Sequence, residues 1–155
     1  MSDTTAMKFI DYTISTPTSA DYPVLINIWE AAVRATHDFL KDEHIQHFKP
    51  LILNQYFDAV DLFCVRDESG RIMGFMGLSP EMVEMLFVHP HYFGKGIGKK
   101  LMEYAVQKRS VRKVDVNEQN PDALAFYQHL GFEVKRRSPL DSLGLPFPVL
   151  HLELP

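Results

Sequence analysis

At 155 residues, 46% of them apolar and 23% charged, the chain has the length and make-up of one globular domain, residues 1–155, with a core of its own. A formal net charge of -4 and a pI near 5.9 argue against a protein that grips nucleic acid by its phosphates, and no apolar run approaches the roughly 20 residues of a membrane helix. The polar start MSDTTAMKF lacks the basic and apolar regions of a signal peptide, which points to the cytoplasm, and the single cysteine, Cys64, excludes an internal disulfide and a cysteine zinc site.

Lys8 to Ile14 reads as a first strand, ended by the turn-rich Ser15-Thr16-Pro17-Thr18. Leu25, Ile28, Trp29 and Ala32 then recur at helical spacing, so the first helix carries an apolar stripe. A second short helix falls within Asp42 to Phe57, where Pro50 interrupts it. Leu62-Phe63-Cys64-Val65 and Ile72-Met73-Gly74-Phe75-Met76 flank Asp67-Glu68-Ser69-Gly70, the composition of a tight reversal between antiparallel strands. Met82 to Val88 is a third apolar run of strand length, stopped at Pro90, and it leads into Phe93-Gly94-Lys95-Gly96-Ile97-Gly98. Ile97, Leu101, Tyr104 and Ala105 resume helical spacing.

Lys113 to Val116 is another short strand, and Asn120-Pro121-Asp122 opens a helix with a cap, a proline in the first turn and an acid beside it. Ala123, Phe126, Tyr127 and Leu130 form its apolar face, and Gly131 ends it. Phe132 to Lys135 begin a strand, and Val149 to Leu154 supply the last. This order predicts an α/β fold with a mixed, mostly antiparallel sheet flanked by helices.

Gly94, Gly96 and Gly98 strip side chains from a turn that opens a helix, so backbone N–H groups can converge on an anion at its positive end. Their spacing is not GxGxxG, and a Walker A loop would need glycine at Phe93 and Ser or Thr at Lys100, so neither a nicotinamide nor an NTPase site is expected. The same glycines would serve a plain strand-to-helix connection, and the residues alone leave both readings open.

The run Leu86-Phe87-Val88-His89-Pro90-His91-Tyr92-Phe93-Gly94-Lys95-Gly96-Ile97-Gly98-Lys99-Lys100-Leu101, followed by Asn120 to Tyr127 and Gly131-Phe132, resembles the GNAT acetyltransferases in order and separation. Thr36-His37-Asp38-Phe39-Leu40, Val116 to Asn120, and the tail from Arg137-Ser138 through Asp141 to Gly144, Pro146 and Pro148 look like the bacterial YjaB-type enzymes of that family. The resemblance implies the GNAT fold: a twisted sheet splayed between its fourth and fifth strands, with acetyl-coenzyme A lying in the splay. It implies that Phe93, Gly94, Lys95, Gly96, Ile97, Gly98 and Lys99 form the pyrophosphate loop. It also implies that backbone groups of Leu86 and Val88 pair with the pantetheine arm as an added strand would, and that Asn120, with Asn117 as a second candidate, touches the cofactor. Asn120 equally suits a helix N-cap that needs no ligand. Where the family usually has Arg or Gln this chain has Phe93, which leaves Lys95 and Lys99 to supply charge.

Acetyl transfer from a thioester to an amine requires an unprotonated amine, a stabilised carbonyl oxygen and a protonated leaving sulfur. The resemblance makes Tyr127 the general acid and the backbone N–H of Val88 the donor to the carbonyl oxygen; as residues alone, Tyr127 also fits a helix's core face. Glu84 is the candidate base, because period two puts it on the strand face of Leu86 and Val88, where an unpaired carboxylate would be costly; a strand-end glutamate reaching solvent is its rival reading. His37, His44, His47, His89 and His91 lack an HExxH or comparable ligand set, so no metal is expected, and His37 beside Phe39 fits an acceptor pocket. Cys64, inside an apolar run, reads as core.

The expected protein is thus an N-acetyltransferase that moves the acetyl group of acetyl-coenzyme A directly to a primary amine of a small molecule or a protein. Two alternatives stand beside it: an acetyl-coenzyme A-binding regulator or sensor with little catalysis, and a different nucleotide binder using the same loop. Acceptor selectivity is implied for the first helices and the loop Arg136 to Pro148. Neither nucleic acid nor a membrane is expected as a partner, and a homodimer is allowed for.

Overall fold

The computed structural model describes residues 12–155, so the Lys8 to Asp11 part of the expected first strand lies outside the described residues. Strand β1 (Thr13–Ser15) leads through a single turn to helix α1 (Tyr22–Thr36), which starts with Pro23 in its first turn. Leu25, Ile26, Ile28, Trp29, Ala32 and Val33 form the buried stripe of α1. The next helix departs from expectation. Helix α2 (Asp42–Leu51) carries Pro50 without breaking and runs on through a π-helical turn (Ile52–Tyr56) into a last turn (Phe57–Ala59). Its buried residues explain this: Ile45 and Ile52 are seven apart and share a face, whereas Phe57, five beyond Ile52, is out of phase in an α-helix. The wider turn, closed by Phe57 N–H to Ile52 O, brings Phe57 back to the core, and packing outweighs the proline penalty.

Strands β2 (Asp61–Arg66) and β3 (Ile72–Leu78) form the expected hairpin, and β4 (Met82–Val88) follows antiparallel to β3. Helix α3 (Ile97–Arg109), strand β5 (Lys113–Asn117), helix α4 (Pro121–His129) and strands β6 (Glu133–Ser138) and β7 (Val149–Glu153) complete the order. The described residues form one seven-stranded sheet, β1-β2-β3-β4-β5-β7-β6, in which β4 and β5 are the parallel pair. No helix among the described residues is long and apolar enough to cross a membrane.

Alternation along β2 shows how the layers form. Phe63 and Val65 join the cluster under α3 and α4, whereas Leu62 and Cys64 join the cluster under α1 and α2. Cys64 is a core residue, fully buried. Beyond the hairpin strands, Asp115, His151 and Ser138 are tied across β5, β7 and β6 by two 2.7 Å hydrogen bonds.

One irregularity positions the site. Strands β4 and β5 pair only at Met82 with Lys113 and Val83 with Val114, then diverge, while β5 continues paired to β7 as far as Asn117. The outer edge of β4 from Glu84 to Val88 is therefore left without a neighbouring strand.

Candidate active site

Two connected hollows fill this gap. The larger, about 550 Å³, is bounded by the end of α1, by Leu86 to Val88, by the loop from Tyr92 to Lys99, and by Asn120, Asp122, Ala123, Phe126 and Tyr127 at the start of α4. The smaller, about 120 Å³, lies between Val83 to Phe87 of β4 and Val114 to Asn117 of β5. His37, Leu86, Phe87, Asn120, Ala123 and Tyr127 line both, so they mark the junction.

The backbone of β4 is oriented for that gap. His89 N–H bonds Met73 O on β3, so strand alternation turns the amide groups of Leu86 and Val88 the other way, into the splay. They offer an unpaired edge to any extended ligand carrying amides.

At the far end, Gly94 and Gly96 have φ of 76° and 80°, in the left-handed region, and a Cβ at either would meet nothing within 4 Å. Gly96 caps α3 with no side-chain hydrogen bond, and the first bond of the helix is Lys100 N–H to Gly96 O. Among the described residues, no acceptor takes the N–H groups of Gly96, Ile97, Gly98 or Lys99. A run of free N–H groups at a helix N-terminus, beside open space, fits a pyrophosphate. Gly98 differs from its neighbours: it has no positive φ, and a Cβ there would stand 3.4 Å from Phe126 Cζ, an ordinary packing contact. Phe93 is 45% exposed on the rim.

Asn120 caps α4, its Oδ1 accepting from Ala123 N–H at 3.2 Å, and it also lines both hollows, so the two sequence readings describe one side chain. Asn117 lines only the smaller hollow, with its Oδ1 engaged by Gln119 N–H at 2.9 Å.

Tyr127 is 7% exposed, its ring held edge-on by Phe126 at 5.0 Å and Phe132 at 5.9 Å. No hydrogen bond to its hydroxyl forms among the described residues, and burial raises its pKa above the ordinary phenol value, so it stays protonated. Glu84 corrects an expectation. It sits at a bulge, because Gly77 faces Met85 and Leu78 faces Val83, leaving Glu84 no partner on β3. It is exposed, and its Oε2 accepts from Ser79 Oγ at 2.7 Å, so it is neither unpaired nor buried, although it does line the smaller hollow.

Beyond His37, which lines both hollows, rings pack in a row. His37 lies 5.3 Å from Phe39, Phe39 lies 5.8 Å from the buried Phe147, and Phe147 lies 5.2 Å from His44. Phe147 thereby anchors the β6–β7 loop onto the α1–α2 connection. Burial lowers the pKa of His37, partly opposed by Asp38. Sequence reasoning gave no site role to Thr36, Tyr92, Asp115, Asp122 or Phe126; only the helix phase shared with Tyr127 could have flagged Phe126. Among the described residues, no three His, Cys, Asp or Glu side chains cluster as a metal site.

Residues 59–134 match the family described as acetyltransferase (GNAT) domain. The chain is 38% identical over 131 residues to the peptidyl-lysine N-acetyltransferase YjaB of Salmonella typhimurium, covering 84% of this chain and 90% of that protein. The solution structure of apo-form YjaB from Escherichia coli superposes with a TM-score of 0.83 at 34% identity, covering 92% of this chain and 96% of that one. The PaiA N-acetyltransferase of Thermoplasma acidophilum, solved in complex with coenzyme A, shares the fold with a TM-score of 0.70 at 18% identity, covering 93% and 99% of the two chains.

Proposed function

Because this chain belongs to the GNAT acetyltransferase family, we propose that it transfers the acetyl group of acetyl-coenzyme A to the side-chain amine of lysine in a protein or peptide, acting as a single catalytic domain. The observation that carries this reading is the junction: an unpaired strand edge, a loop of free N–H groups and a protonated phenol meet at one opening between β4 and β5. The lysine acceptor is supported by the names of the YjaB relatives from two bacteria, each 38% identical to this chain.

The residues divide the work by position. The N–H groups of Gly96, Ile97, Gly98 and Lys99, with Lys95 and the glycine turn at Gly94, hold the pyrophosphate; Phe93 covers it from the rim. Leu86 and Val88 hydrogen-bond the pantetheine arm, and Asn120, with Asn117 at the end of β5, contacts the cofactor. Bound acetyl-coenzyme A supplies the thioester to be cleaved. The Val88 N–H stabilises charge on the carbonyl oxygen, and Tyr127 protonates the sulfur as it leaves. Glu84 serves the smaller hollow from its mouth as a carboxylate that takes protons through water, and with Asp115 it draws a cationic lysine towards the gap. The apolar lining of the larger hollow, with Ala32, Phe126 and Phe87, suits the apolar stem of that lysine.

An acceptor screen following thiol release tests the assignment. A lysine peptide should outperform both a peptide whose only amine is its N-terminus and a free polyamine. Equal rates on all three would remove the lysine assignment. Saturable coenzyme A binding with no transfer to any amine would favour a sensor instead.

A further inference from the structure

Which group takes the amine's proton directly is answered by the hydrogen bonds around the end of α1. The Thr36 hydroxyl donates its one proton to Ala32 O at 2.8 Å, so in its 2.7 Å contact with Nδ1 of His37 it can only accept. Nδ1 of His37 therefore carries the hydrogen, and Nε2 keeps its lone pair. The ring is fixed from the backbone as well: His37 N–H closes α1 on Val33 O at 2.7 Å, and His37 O accepts from Leu40 N–H at 2.9 Å. Phe39 packs beside it at a tilt of 51°, and the ring lines both hollows together with Tyr127. Nδ1 being engaged, Nε2 is the nitrogen left to face a ligand.

We propose that His37 is the base that receives the proton from the attacking amine, and that Thr36 is a positioning residue that holds the imidazole in the productive tautomer. This rests on the acetyl-transfer reading above. The amine enters as its neutral fraction, its lone pair forms the C–N bond, and the C–S bond breaks. The proton shed by nitrogen moves to Nε2 of His37, the sulfur takes the phenol proton of Tyr127, and both side chains then re-equilibrate with water. Burial keeps His37 unprotonated at neutral pH, ready for this role. The other ionisable groups around the two hollows are Asp38 beside it, Glu84 from β4, Asp115 from β5, Asp122 and Tyr127 from α4, and Tyr92 and Lys99 from the loop; of these Asp38 opposes the burial effect on His37. Glu84, solvent-exposed and bonded to Ser79, is the less direct of the two bases.

Two readouts on the full chain test this. Nitrogen NMR of the ring, without any ligand, should show the Nδ1–H tautomer for His37, lost in Thr36→Val and retained in Thr36→Ser. Rate against pH, corrected for the neutral amine fraction, should fall on the acid side along an ionisation below the usual histidine value of about 6.5. His37→Gln should lose that limb with a fall of about 10²–10⁴-fold, while Glu84→Gln keeps the limb. An Nε2–H tautomer in the wild type, a limb surviving in His37→Gln, or a limb abolished by Glu84→Gln would each overturn the proposal while leaving acetyl transfer standing. A wild-type chain inactive on every amine would overturn both. Thr36→Val, which keeps the imidazole, should lower the rate together with the tautomer signal, and an unchanged rate beside a lost tautomer would overturn the proposal even if His37→Gln does not fold.

Discussion

Tyr127→Phe separates chemistry from packing unusually well in this protein. The change deletes one oxygen and keeps the ring that sits 5.0 Å from Phe126 and 5.9 Å from Phe132. That oxygen has no protein hydrogen bond among the described residues, so its loss breaks none, and stability near neutral pH should stay within about 0.5 kcal/mol of wild type. The rate should behave otherwise. A general acid is worth about 10²–10⁴-fold, or about 3 to 5 kcal/mol of barrier. The sign of the pH effect follows from burial, which raises the phenol above its ordinary value of 10.0 in the folded chain. The folded state then holds the proton more tightly than the unfolded one, and that stability is complete below pH 10 and lost as pH rises beyond it. Wild type should therefore show a larger alkaline loss of stability than Tyr127→Phe, which keeps only the share from Tyr22, and no alkaline loss of rate from Tyr127 at neutral or mildly basic pH. Initial rates of thiol release and urea unfolding at several pH values measure both. Full turnover by Tyr127→Phe at every pH would refute the acid role, and a large fall in stability at neutral pH would show that the hydroxyl holds the fold.

Other perturbations address separate parts of the site. Gly96→Ala forces a side chain into φ 80°, so it should cost about 1–2 kcal/mol in thermal unfolding and weaken coenzyme A binding by calorimetry. Asn120→Ala removes the cap of α4 and should destabilise the chain by about 1 kcal/mol, with a further loss of coenzyme A affinity beyond what stability explains. Phe93→Arg adds a cation at an exposed rim position, where a screened ion pair of up to ~1 kcal/mol corresponds to coenzyme A binding about two- to five-fold tighter, a gain that should vanish in high salt.

The parts of this structure that were readable in the chain are those set by local pattern. The β2–β3 hairpin follows from two apolar runs around Asp67 to Gly70, and α4 follows from Asn120, Pro121 and Gly131, which supply both its ends. The misreadings come from contacts that no short window contains. Pro50 predicted a break, but buried Ile45, Ile52 and Phe57 hold the chain helical through a π turn. Period two placed Glu84 with Leu86 and Val88, but the register shift opposite Gly77 and Leu78 put it at a bulge in solvent. The three glycines looked equivalent in sequence; the backbone separates them, since Gly94 and Gly96 take positive φ and Gly98 does not. The tautomer of His37 was invisible for the same reason, since it depends on where the Thr36 hydroxyl spends its single proton.

Acetyl transfer from acetyl-coenzyme A to a lysine amine is measured most directly by counting both products in one reaction. The chain is incubated with acetyl-coenzyme A and a lysine peptide, free thiol is titrated, and the peptide is sequenced by mass spectrometry. The structure predicts one N-acetyl-lysine formed for each thiol released, with almost no thiol released when the peptide is omitted. Thiol release that ignores the peptide, or coenzyme A binding without any acetylated lysine, would contradict it.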